Sequence, residues 1–193
     1  MRLERSLTGP MRRLALLTLL ASALPVPAQA QDAKTCAFVM LPARAAPGAL
    51  PALGRKVQAA CTPRPAAADL DKQVRDLRRQ GFKRIILAGH GPGANAAMAF
   101  AGTSGDVEAV VALGGDPGGE GGDLSRVAAG MKQHVTLLWV VGTQDPLAAR
   151  GEAYAFAKAP PHPASRFVTV EGDSAATPDA AARIVLDWIK TLD

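Results

Sequence analysis

Residues 84–100 read Arg-Ile-Ile-Leu-Ala-Gly-His-Gly-Pro-Gly-Ala-Asn-Ala-Ala-Met-Ala-Phe, and they leave few folds open. A short apolar run ends in glycines, and an alanine-rich run follows at once. That order predicts a buried strand, a sharp turn, and a helix that starts inside the turn. In open α/β sheets such junctions carry ligands, because strand carboxyl ends and helix amino ends converge there.

The rest of the chain supplies matching pieces. Apolar runs predict strands over Cys36–Leu41, 83–88, 107–113, 135–141 and Arg166–Val170. Residues 61–65 can form only a vestigial strand, since Pro63 and Pro65 cannot donate to a ladder. Helical spacing of Leu50, Leu53 and Val57 marks a helix over 49–60, and Leu70, Val74 and Leu77 mark another over 66–80. Further helices are expected over 92–101, 124–133, 150–158 and 178–192, with residues 142–147 as a loop. Strand and helix alternate at spacings that suit right-handed crossovers. The strands lack polar alternation, as strands covered on both faces do. The expected fold is α/β: an open, mostly parallel sheet with helices on both faces.

The first 30 residues have the make-up of a cleaved signal peptide. Arg2, Arg5, Arg12 and Arg13 precede an apolar run from Leu14 to Leu24, and Ala28-Gln29-Ala30 forms a cleavage site. The apolar run is too short to span a bilayer comfortably. Residues 31–193 are then a single domain, periplasmic or secreted, with no stable membrane insertion after cleavage. The leader holds four of the 22 basic and one of the 17 acidic residues, so the remainder carries a net charge of only +2. So small a charge does not support nucleic-acid binding.

Two cysteines remain, Cys36 and Cys61. In an oxidising compartment a disulfide is the default reading, and two buried free thiols are the alternative. No cysteine–histidine spacing points to zinc. Asp116, Glu120 and Asp123 lie in a loop with six glycines, where acids are usually just solvated. No metal or cofactor is expected.

The turn Gly89-His90-Gly91-Pro92-Gly93 keeps the glycines of G-x-S-x-G, the frame of a nucleophile elbow, but Gly91 occupies the serine position. Two later stretches extend the likeness. Leu138 to Leu147, with Asp145, reads as a strand and a loop that presents an acid. Gly172-Asp173-Ser174, followed by a helix with Trp188 and Ile189, reads as a loop that presents a base. On these three pieces the chain resembles the α/β-hydrolase family over residues 36–192, as a small exported member. It would correspond to the third to eighth strands of that fold, with no lid.

The resemblance implies a catalytic set that is mostly missing. Gly91 has no side chain to attack a carbonyl. Asp145 stands at the acid position. Ser174 stands where the family has its histidine, and serine is no general base near neutral pH. Pro42 and Ala43 stand in the oxyanion loop, and Pro42 has no N–H to donate. The expected pocket comprises Pro42, Ala43, His90, Gly91, Pro92 and Asp145. His90 is expected to pack beside the turn or bond to a neighbouring loop, and Asp145 to cap a turn. His134 and His162 are expected at the far end of the sheet.

The functional expectation is a catalytically inactive hydrolase-like protein that binds an unknown small molecule or protein. One alternative is an active serine hydrolase with a non-standard triad built on Ser104 or Ser174. The other is dinucleotide binding, because residues 89–94 also satisfy G-x-G-x-x-[GA], with Asp116 beyond the next strand. The amino end of the helix after the turn is a further place for an anion.

Overall fold

The computed structural model describes residues 35–41, 48–115 and 123–192. Pro42, Ala43, Asp116, Glu120 and the leader at 1–30 lie outside these described residues.

Six parallel strands form one open sheet: β1 (Cys36–Leu41), β2 (Thr62–Pro65), β3 (Arg84–His90), β4 (Ala109–Leu113), β5 (Thr136–Gly142) and β6 (Arg166–Val170). Their order across the sheet is β2-β1-β3-β4-β5-β6. The helices are α1 (Ala49–Val57), α2 (Leu70–Arg79), α3 (Pro92–Thr103), α4 (Leu124–Ala129), α5 (Pro146–Phe156), α6 (Thr177–Ala180) and α7 (Ala182–Ile189), with a 3₁₀ turn at Lys190–Leu192.

The order reverses between β1 and β3. From β1 the chain moves one way to β2, and from β3 it moves the other way to β6. Crossovers of one hand therefore put helices on opposite faces. Val39, Leu87, Val110 and Trp139 pack on one face with Val74, Leu77, Ala97, Met98 and Ala128 from α2, α3 and α4. Phe38, Ile86, Val111 and Leu138 pack on the other with Leu50, Leu53, Val185 and Trp188 from α1 and α7. Alternate residues of β1, β3, β4 and β5 thus feed two cores, which explains the lack of polar alternation there.

Cys36 at the start of β1 and Cys61 just before β2 are joined in a disulfide, with Cα atoms 4.6 Å apart. It fastens the edge strand β2, whose prolines limit its ladder.

Several element boundaries differ from the sequence expectation. The Ala66 N–H donates to the Met40 oxygen, so pairing with β1 continues past Pro65. The helix therefore waits until Leu70, where the Asp69 side chain accepts from the Lys72 N–H at 2.8 Å. Strand β3 runs through Gly89 and His90, residues expected to lie in the turn. Helix α5 starts at Pro146 rather than at residue 150, because Asp145 caps it. The last helix is broken into α6, α7 and the 3₁₀ turn.

Candidate functional site

The carboxyl ends of β3, β4, β5 and β6 meet at a cleft of about 210 Å³. Strand β3 ends at His90 and leads into Gly91 and Pro92, and β4 leads into Gly114 and Gly115. Beyond β5 come Asp145, Ala148, Ala149 and Glu152, and the loop after β6 contributes Ser174.

The turn owes its shape to two glycines. A Cβ on Gly89 would stand 2.0 Å from the Gly93 carbonyl oxygen, so α3 can approach β3 this closely only over a glycine. Gly91 has φ 53° and ψ −122°, a region that residues with a Cβ enter only under strain. Apart from its chain neighbours, no described residue comes within 4 Å of where a Cβ there would stand. The elbow backbone is present, and no described residue beyond its chain neighbours crowds it.

The first turn of α3 offers few donors. Pro92 has no N–H, and the Ala94 and Asn95 N–H groups bond back to the Gly91 oxygen. An oxyanion hole of the elbow type uses the N–H of the residue after the nucleophile, and here that residue is Pro92. The same shortage weakens the expected anion site at this helix end and the pyrophosphate cradle of a dinucleotide site.

His90 is 5% exposed, and its Nε2 lies 2.6 Å from the main-chain oxygen of Ser174. A carbonyl oxygen only accepts, so Nε2 carries the proton. Nδ1 is buried and has no hydrogen-bond partner among the described residues. His90 therefore bonds to a neighbouring loop and lines the cleft as well. The Ser174 side chain is exposed, and no imidazole is bonded to its hydroxyl among the described residues. Asp173 caps the same loop, accepting from the Ala175 and Ala176 N–H groups at 3.0 Å.

Asp145 is the N-cap of α5. Its Oδ1 accepts from the Ala148 N–H at 3.3 Å, and it remains a wall of the cleft. Asp123 is likewise a cap, accepting from the Ser125 N–H at 2.9 Å. Among the described residues no group of three or more His, Cys, Asp or Glu side chains could hold a metal ion. His162 Nδ1 faces the Thr136 hydroxyl at 3.3 Å at the amino end of β5, and His134 lies just before that strand. Ser104 ends α3 and accepts from the Asp106 N–H. All three belong to the opposite end of the sheet.

Glu152 is the site residue that sequence reasoning missed. It is 1% exposed, and its Oε2 has no hydrogen-bond partner among the described residues. Its Oε1 lies 2.9 Å from where a Cβ on Gly115 would stand. Burial, and then the nearby Asp145 charge, push its pKa from the ordinary 4.5 up to about 8. A signal existed. Asp145 and Glu152 are seven residues apart, two helical turns, and so share one face. A helix expected to start at 150 separated them.

No protein-family model matches the chain, and no curated protein matches it. Solved structures do. The esterase domain of a Rhodothermus marinus protein superposes with a TM-score of 0.63 at 20% identity, covering 87% of this chain and 90% of that one. A dienelactone hydrolase from Anabaena variabilis gives 0.62 at 16% identity, covering 83% and 87%. The chain has an α/β-hydrolase-like fold. A Pyrococcus furiosus esterase matches at a TM-score of 0.55 and 13% identity, with 82% of each chain covered. At these identities the likeness concerns the fold, so the chemistry must be argued from the cleft.

Proposed function

We propose that this chain is an exported, non-catalytic binding protein on a hydrolase-like fold, and that the cleft above Gly91 holds its ligand. The observation that carries the reading is Gly91 itself: the elbow backbone is kept at φ 53° and ψ −122°, with no side chain to attack. Two further features agree with it. Pro92 removes an oxyanion donor, and the acid-position Asp145 is engaged in capping α5 rather than in orienting a base. Export rests on the leader at 1–30, and the Cys36–Cys61 bridge suits an oxidising compartment. Among the described residues no helix is long and apolar enough to cross a membrane.

A serine-directed fluorophosphonate tests the reading. Purified protein is expected to show no covalent adduct by mass spectrometry. A stoichiometric adduct on Ser104 or Ser174 would establish an activated serine and overturn it.

A further inference from the structure

The described polar side chains of the cleft are two carboxyls, an imidazole and a hydroxyl. Glu152 extends from α5 toward Gly114 and Gly115, with its carboxyl buried and Oε2 unpartnered among the described residues. Asp145 lines the same cleft from the start of the same helix. The His90 Nε2–H is spent on the Ser174 carbonyl, so Nδ1 of a neutral ring is a second buried, unpartnered acceptor. Among the described residues, no lysine or arginine lines the cleft. The neighbouring end of α3 has Pro92 in place of a donor and turns two of its N–H groups back to Gly91.

Buried polar atoms without partners are costly, and a ligand that bonds to them relieves that cost. We infer that the cleft takes a small molecule carrying a positively charged nitrogen, an ammonium or amidinium, seated between the Glu152 and Asp145 carboxyls. The inference rests on the proposal that the cleft is a binding site, and it names the ligand class.

A neutral donor could satisfy one acceptor, but a cation does more. Burial and the Asp145 charge keep the proton on Glu152 in the unliganded cleft up to about pH 8, and a cation seated beside it releases that proton to solvent. A cationic nitrogen between the two groups stabilises both carboxylates and forms charge-assisted hydrogen bonds. Val141, Ala148 and Ala149 offer an apolar wall for the rest of the molecule. The volume, about 210 Å³, is below the ~300–1,000 Å³ of drug-sized sites, so the ligand is small.

Isothermal titration at constant ionic strength with benzamidinium, benzamide and benzoate compares cation, neutral isostere and anion of nearly one shape; n-butylammonium serves as a slimmer cation. At least one cation is expected to bind saturably to the wild type, with benzamide at least tenfold weaker and benzoate not binding. Glu152→Gln is expected to weaken the cation tenfold or more, and its unliganded melting curve shows that it folds. If that variant does not fold, Asp145→Asn is expected to give the same loss. Binding of neither cation at millimolar concentration, equal affinity for benzamide, or wild-type affinity in the folded variant overturns the inference. Ester turnover measured on the same sample keeps the two claims apart. Turnover with cation binding intact sinks only the non-catalytic reading, and neither turnover nor binding sinks only the ligand class.

Discussion

The His90 imidazole donates to the Ser174 main-chain oxygen across 2.6 Å, although 84 residues separate them in the chain. The bond ties the end of β3 to the loop after β6, and both segments line the cleft. It uses the imidazole to hold the site's shape, so that ring nitrogen is not available to a nucleophile.

Replacing His90 with alanine should loosen that tie. The loss of this part-buried hydrogen bond is expected to cost about 1 kcal/mol in denaturant unfolding. Amide exchange over residues 171–176 should quicken. Unchanged exchange there would mean that the loop is held by its own Asp173 cap alone.

Gly91→Ser tests whether the elbow lacks only its nucleophile. A Cβ meets no described residue beyond its chain neighbours, but φ 53° strains any residue other than glycine. A destabilisation of about 1–3 kcal/mol is expected, with no ester turnover, since no histidine is placed as a base. Turnover from this single change would show that an imidazole reaches the elbow after all.

Much of this was legible in the sequence. The strand, turn and helix at 84–100 were, because apolar runs and glycines act through local sterics. So was the far placement of His134 and His162, which follows from strand direction. The partner of His90 was not, because a main-chain oxygen carries no residue identity. Glu152 was not, because Asp145 starts the helix four residues earlier than the pattern implied, which brings the two carboxyls onto one face. The start of α2 was hidden by a backbone bond, Ala66 to Met40, that no side chain announces.

Stability should depend on pH through Glu152. The folded chain holds that proton up to about pH 8, whereas the ordinary value is 4.5. Between those values the folded state binds more protons than the unfolded state, so stability falls as pH rises and then levels off above 8. Glu152→Gln should remove this fall and be more stable than wild type at pH 9, by an amount on the order of a few kcal/mol. Parallel pH–stability curves for the two proteins would mean that Glu152 titrates normally.

The Cys36–Cys61 bridge closes a loop across a separation of 25 residues. Replacing both cysteines with alanine is expected to cost about 3 kcal/mol on the loop-entropy model. Denaturant unfolding measures it, and alkylation without reductant should modify neither cysteine in the wild type. Two alkylated thiols would contradict the bridge.

The central claim is that the cleft binds and does not hydrolyse, and steady-state turnover of short activated esters by purified residues 31–193 tests it most directly. The account predicts a rate equal to that of buffer, and the same rate for Asp145→Ala. A rate well above buffer that Asp145→Ala abolishes would show a working catalytic acid and contradict it.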